Sequence, residues 1–239
     1  MKEYAPRTIE TFSILNNNID FITSNDRIVD RVTNSSYEEY ILEKIVSLSE
    51  ESSTFWDIGA CLGIHSFIGA LYYDSVVSFE PMPSNRGVLM ENKMINSFDN
   101  IHVVRDALSD SSGETEFAIR QSLDAGHGRH SFDTGDYEKV RTVTVEKSVG
   151  DSFTDISFPN VIKIDVEGAE GLVLEGLSET LSDPRCTDVI LETHEPNPVQ
   201  PSYEDYGYTE QDIRKLLEEK GFTVCEMKNY FHLYATKNP

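Results

Sequence analysis

The chain has 239 residues, 38% of them hydrophobic and 10% aromatic, which is enough apolar material for a core and too much for a wholly disordered chain. Asp and Glu number 42 against 20 Lys and Arg, a net charge of −22, and that field repels phosphate backbones, so no nucleic acid is expected as a partner. The same excess is self-repelling at low salt and screened in molar salt, where the Debye length is about 3 Å, so the composition reads as that of a halophilic source or, alternatively, of an ordinary acidic cytosolic enzyme.

Residues 1–35 are polar, with short strands expected near Phe12 to Leu15 and Asp20 to Thr23. From Ser36, the residues Tyr37, Tyr40, Ile41, Ile45 and Leu48 recur at helical spacing, marking an amphipathic helix that ends near Ser49. Strand and helix patterns then alternate, as in βα units on a parallel sheet. Thr54 to Ile58 reads as a strand, with Ile64, Phe67, Ile68, Leu71 and Tyr72 on the following helix. Ser75 to Glu80 is the second strand. Pro81 and Pro83 delay the next helix, Ser84 is its expected N-cap, and Val88 to Ile95 its body. Ile101 to Arg105 is the third strand.

The alternation fails over an insert at 111–160, where Thr115 to Ile119 and Val140 to Val145 read as a hairpin-type pair around a Gly-, His- and Asp-rich loop. It resumes with strand Val161 to Asp165, a helix on Val173, Leu174, Leu177 and Leu181, and strand Asp188 to Glu192. Thr209 caps a helix with Ile213, Leu216 and Leu217 inward, closed by Gly221. The link between Phe222–Met227 and Tyr230–Thr236 is too short for a crossover, so these strands are antiparallel neighbours. The expectation is a single domain over 1–239, with residues 1–50 as a cap and helix before the core. Cys61, Cys186 and Cys225 are odd in number and lack CxxC pairing, against a disulfide framework or a cysteine zinc site. With no apolar leader and no run of about 18 apolar residues, a cytoplasmic protein without a transmembrane segment is expected.

The chemistry-bearing residues gather at the carboxyl ends of the strands, where open α/β sheets bind ligands. Asp57-Ile58-Gly59-Ala60-Cys61-Leu62-Gly63 is a glycine-bearing turn into a helix, with Gly59, Ala60 and Gly63 shaping the cofactor loop. A dinucleotide fingerprint needs glycine where Cys61 stands, and the Asp57 carboxylate opposes a pyrophosphate. The cationic, phosphate-free S-adenosylmethionine suits that charge. Glu80 follows Asp57 by 23 residues, a spacing suited to gripping ribose hydroxyls, while Asp106 and Ala107 stand where the adenine is expected. Lys163, Asp165 and Glu167 crowd the fourth strand end, and Lys163 reads equally as an internal ion pair or a substrate contact. Glu192 and His194 end the fifth strand as a substrate contact and a candidate base. The base is His194 or Asp165, with Glu167 orienting. In the insert, His127, Arg129 and His130 read as a substrate-facing lid or as a mobile surface loop. No ligand spacing supports a metal and none is expected, the alternative being a site that uses the histidines with Asp165 or Glu192. Trp56 reads as sheet core and His65 as a site wall.

Asp57-Ile58-Gly59-Ala60…Gly63, Phe79-Glu80-Pro81-x-Pro83-x-Asn85, Ala107-Leu108-Ser109-Asp110 with Gly113, Lys163-Ile164-Asp165-Val166-Glu167-Gly168-Ala169-Glu170 and Leu191-Glu192-Thr193-His194 together resemble the FkbM family of methyltransferases, in order, over roughly residues 37–195. The resemblance implies a Rossmann-like class I methyltransferase fold. That fold is a mostly parallel seven-stranded sheet with an antiparallel last strand, helices on both faces, and extra strands between the third and fourth core strands. It also implies an S-adenosylmethionine-dependent O-methyltransferase, in this family often acting on sugars or polyketides. Cys61 departs from the family's usual Asn, which is tolerable where the backbone does the main work. With the acidic charge, the resemblance suggests methylation of a saccharide or lipid-linked saccharide, such as a hexuronic acid of a glycan precursor, with peripheral membrane contact left open. The alternatives are a small natural product or lipid as acceptor, a non-catalytic binding module, or an NAD-dependent sugar-nucleotide enzyme.

The charge argument is testable by heat. The Tm is expected to climb steadily from roughly 0.1 M to 2 M KCl as screening removes self-repulsion, and a flat or falling Tm would remove it.

Overall fold

The computed structural model describes residues 8–23, 26–33, 39–119, 130–132, 141–228 and 231–237. Thirteen strands and seven α-helices follow in the described chain. A hairpin of β1 (Thr8–Ile14) and β2 (Asn17–Thr23) leads through α1 (Asp26–Thr33) and α2 (Glu39–Ser47) to the first core unit, β3 (Thr54–Ile58) and α3 (Ile64–Ala70). Then come β4 (Ser75–Phe79), α4 (Pro83–Ile95), β5 (Ile101–Val104), β6 (Ala107–Ser109), β7 (Gly113–Ile119), β8 (His130–Phe132) and β9 (Arg141–Val149). The chain closes with β10 (Val161–Ile164), α5 (Glu170–Gly176), α6 (Ser178–Ser182), β11 (Asp188–Glu192), α7 (Glu210–Glu218), β12 (Thr223–Glu226) and β13 (His232–Thr236).

The central sheet has seven strands in the order β12-β13-β11-β10-β3-β4-β5. The pairs β11–β10, β10–β3, β3–β4 and β4–β5 are parallel, and β13 runs antiparallel to both its neighbours, as expected. Side chains alternate between faces along each strand, and the core divides accordingly. Phe55, Val76, Ile101, Val161 and Ile190 pack with α2, α3 and the N-terminal hairpin. Trp56, Ile58, Val77, Phe79, Ile162, Ile164 and Leu191 pack with residues of α5 and α7. Trp56 is core, with its indole N–H donating to the Ser157 carbonyl at 2.8 Å.

Four local expectations are corrected. The first 35 residues are more than a polar cap, because Ile14, Ile19, Phe21, Ile28 and Val32 are buried in the same cluster as α3. The Asn92 and Asn96 amide oxygens of α4 accept from the Ile22 and Asp20 backbone N–H groups, at 2.8 and 2.9 Å, and so satisfy the free edge of β2. Helix α4 begins at Pro83 with Met82 as N-cap, since proline fits the first helical turn, where its missing donor costs nothing. Leu71 and Tyr72 lie past the end of α3 and are 43% and 41% exposed. The helix expected on Val173 to Leu181 is two short helices broken at Leu177.

The insert builds a second sheet of order β6-β9-β7-β8. The expected antiparallel pair is present as β7 and β9, but β6 joins it in parallel and β8 lines its other edge. Val140 and Tyr230, expected at strand ends, and Ser36 and Tyr37, expected in the first helix, lie outside the described residues. Among the described residues, no helix is long and apolar enough to cross a membrane.

Candidate functional site

The strand ends of the central sheet are tied past their last ladder residues. Gly59 N–H and Ala60 N–H both donate to the Phe79 carbonyl at 3.0 Å, Glu80 N–H to Val104 at 3.0 Å, and Asp165 N–H to Ile58 at 3.0 Å. The loops they launch enclose a cleft of about 670 Å³, counted to its open mouth. Gly59 sits at φ +84°, and a Cβ there would overlap the Asp165 carbonyl oxygen, so glycine is required by both conformation and space. Cys61 also lies in the left-handed region, at φ +51°, where Asn is among the better-tolerated side chains. Its backbone N–H donates to Glu80 Oε2 at 2.7 Å, so the thiol costs the loop none of its backbone hydrogen bonding.

Glu80 is 5% exposed, and its second oxygen accepts from Met82 N–H at 2.8 Å. Two backbone donors thus hold this carboxylate rigidly in the cleft wall. Asp106, after β5, is anchored by the Ser148 hydroxyl at 2.6 Å from β9, and Ala107 and Leu108 continue the wall beside it. Phe117, His130, Ser131 and Phe132 close the same cleft from the second sheet. Tyr206 steadies that wall by donating its hydroxyl to the Phe132 carbonyl at 3.2 Å.

Of the expected cofactor residues, Gly59, Glu80, Asp106 and Ala107 line this cleft, whereas Asp57, Ala60 and Gly63 lie behind it. Asp57 is fully buried. It accepts from the Ser66 hydroxyl at 2.6 Å and lies 3.4 Å from Lys163 Nζ, which is also 3.1 Å from Asp165 Oδ2. The ion-pair reading of Lys163 therefore holds. Asp57 does not meet a ligand as a bare charge, and the sign argument moves to Glu80, Asp106, Asp165 and Glu167, which all line the cleft. Among the described lining residues there is no Lys or Arg. Asp165 is itself paired with Lys163 and Asp106 lies 3.8 Å from Arg105, but the lining remains acidic on balance, which suits a cationic ligand better than a pyrophosphate. Gly63 shapes the turn as the left-handed N-cap of α3 at φ +92°. His65, expected in the wall, is buried in α3 outside the lining.

Asp165, Glu167 and His194 meet at the neighbouring strand ends. His194 Nδ1 pairs with Glu170 Oε1 at 2.5 Å, and Nε2 lies 3.5 Å from Glu167 Oε2 and 4.0 Å from Asp165 Oδ1. Burial pulls the imidazole down, but the Glu170 hydrogen bond and the charges of Glu170, Glu167 and Asp165 outweigh it and push His194 up to about 10. Burial also pushes the Glu170 carboxyl up, and its hydrogen bond to His194 opposes that. The surrounding carboxylates favour the imidazolium form of His194, which as such has no lone pair to offer a substrate proton. Asp165, Glu192 and His194 each bring one atom to within 4.8 Å of the others, near enough to share a cation. His130 is buried in the cleft wall; His127 and Arg129 lie outside the described residues. Glu170 was missed as a functional residue because nothing in its spacing marks a carboxylate that is fully buried under His194. Asn85, Phe117 and Phe132 were missed as cleft walls because their approach is purely tertiary.

A Rossmann-like sheet whose cofactor cleft lies at the carboxyl ends of β3, β4 and β5 defines the class I methyltransferases. The model of the methyltransferase FkbM domain matches residues 57–224, and the chain belongs to that family. It is an S-adenosylmethionine-dependent O-methyltransferase. It is 29% identical over 189 residues to the hexuronic acid methyltransferase AglP of Haloferax volcanii, covering 79% of this chain and 71% of that protein. Two solved structures share the fold. A methyltransferase FkbM from Methylobacillus flagellatus has a TM-score of 0.51 at 16% identity, over 77% of this chain and 43% of that one. A putative rRNA methylase from Clostridium thermocellum has a TM-score of 0.52 at 9% identity, over 82% and 91%.

Two outcomes follow from the geometry. Lys163→Met leaves Asp57 buried without its cation and is expected to cost about 3–5 kcal/mol in urea unfolding. Adding Asp57→Asn should return part of that loss, and a near-neutral single variant would show that the pair is not a constraint. Unfolded, His194 titrates near its ordinary value of 6.5, and folded near 10. Its stabilisation is complete below pH 6.5 and is lost as the pH rises through about 10. Thermal unfolding of the wild type should therefore weaken across that window, and His194→Gln should flatten the decline.

Proposed function

We propose that the methyl acceptor is a saccharide, and specifically an oxygen of a hexuronic acid, free or lipid-linked. The observation that carries this reading is the likeness to a hexuronic acid methyltransferase across 79% of the chain. When bound, S-adenosylmethionine supplies an electrophilic methyl group on a sulfonium. The four cleft carboxylates and the absence of Lys and Arg from the described lining fit that cation. Glu80 takes the ribose hydroxyls, Asp106 the exocyclic amine, and Ala107 and Leu108 bound the ring. Asp57, Ala60 and Gly63 act indirectly, by holding the loop.

The acceptor oxygen must be held in line, at roughly 3–3.5 Å from the carbon it attacks, so positioning does most of the work. For a hydroxyl acceptor, Asp165 takes the proton and Glu167 orients the sugar, while His194, pinned by Glu170, keeps these two carboxylates apart and partly neutralised. A uronic carboxylate acceptor needs no base. The chain acts as a single domain in the cytoplasm, and a lipid-linked acceptor would bring it to a membrane surface.

Calorimetry should show S-adenosylmethionine binding with no comparable uptake of NAD. Asp165→Asn should slow single-turnover transfer to a sugar hydroxyl by about 10²-fold or more; an unchanged rate would remove Asp165 as the base. Surface glycans of a deletion strain should lose the mass of one CH2 on one sugar, and unaltered glycans would remove the saccharide acceptor.

A further inference from the structure

Glu192 and His232 stand directly opposite each other in the β11–β13 ladder, so their side chains share one face of the sheet. His232 is 7% exposed, and its ring spans two partners. Nε2 lies 3.4 Å from Glu192 Oε2, and Nδ1 is 2.8 Å from the Tyr40 hydroxyl, which arrives from α2. The Tyr40 and His232 rings meet edge to face at 5.7 Å. Pairing continues one residue past Glu192, because Thr193 N–H donates to the Phe231 carbonyl at 2.7 Å. The backbone on either side of Glu192 is therefore held, and its carboxylate is steered from behind. That carboxylate ends within 4.8 Å of the Asp165 and His194 groups, beside Asp165 of the cleft lining.

We propose that Tyr40 and His232 are positioning residues that hold Glu192 as a reader of acceptor hydroxyl groups. This rests on the saccharide reading above. A carboxylate has acceptor capacity and no donor, so it selects neighbouring hydroxyls and repels a carboxylate. The sugar therefore turns hydroxyls towards Glu192 and any acidic group away from it. The N-terminal helix α2, outside the cofactor loops, takes part in choosing the acceptor through this relay.

The test measures binding of methyl β-D-glucuronide to the full chain saturated with S-adenosylhomocysteine, by calorimetry, alongside S-adenosylhomocysteine affinity and Tm. His232→Leu should weaken glucuronide binding about 10-fold and Tyr40→Phe about 3-fold, with S-adenosylhomocysteine affinity unchanged. His232→Gln, whose amide can replace the donor at Nε2, should restore affinity to near the wild-type value even where its Tm stays lowered. A merely structural role predicts the reverse, with affinity following Tm in all three variants. Wild-type binding with no loss in His232→Leu, or no recovery in His232→Gln, overturns the relay alone. No binding by the wild type overturns the saccharide reading, and the relay's assignment with it.

Discussion

The arrangement turns on one buried ion-pair file crossing the sheet from β3 to β10, in which Lys163 stands between Asp57 and Asp165. Charges this deep are tolerated only when answered. Lys163 lies directly opposite Asp57 in the ladder, and Ser66 of α3 takes the other side of the same carboxylate. Because the file spans two strands and a helix, it fixes where β3 ends and how closely the end of β10 passes over the following loop. Gly59 is the visible consequence, lying under the Asp165 carbonyl with no room for a side chain. The cofactor loop is tight because the charges beneath it are paired with one another.

Charge also sorts the rest of the site. The wall of the cleft carries Glu80, Asp106, Asp165 and Glu167, each held by the fold or bordering a cation. Next to that wall, His194 is surrounded by three of the chain's carboxylates, which favour its protonated form. It is better suited to spacing those carboxylates than to removing a proton. The net charge of −22 fits the same picture at larger scale, and the likeness to a Haloferax protein is consistent with salt as the missing counter-charge.

Much of this was legible in the linear chain. β3 and β11 run as their apolar patterns indicate, Thr209 caps α7, and the last two strands are antiparallel neighbours. The turns at Asp57 to Gly63, at Glu80 and at Asp106 fall at strand ends because a parallel sheet brings all such ends to one edge. Three features escaped for a shared reason. The hairpin before α1 contributes Phe21 to the core although its surroundings are polar, since Asn92 and Asn96 satisfy its edge from a helix some seventy residues away. The second sheet gains β6 and β8, each three residues long, too short to leave a periodic trace. Glu170 shows no sign in its local pattern of lying beneath His194.

What the amino-acid order determined by itself was the series of βα units, the place of the crevice along them, and the kinds of groups that gather there, because hydrophobic period and turn chemistry are local properties. Which of those groups face a ligand and which face one another was decided only by tertiary contact. Asp57 turned inward to Lys163, and His194 came to lie among Glu170, Glu167 and Asp165, whose charges raise its pKa. Protonation and exposure depend on distances across strands, and no spacing along a single strand encodes them.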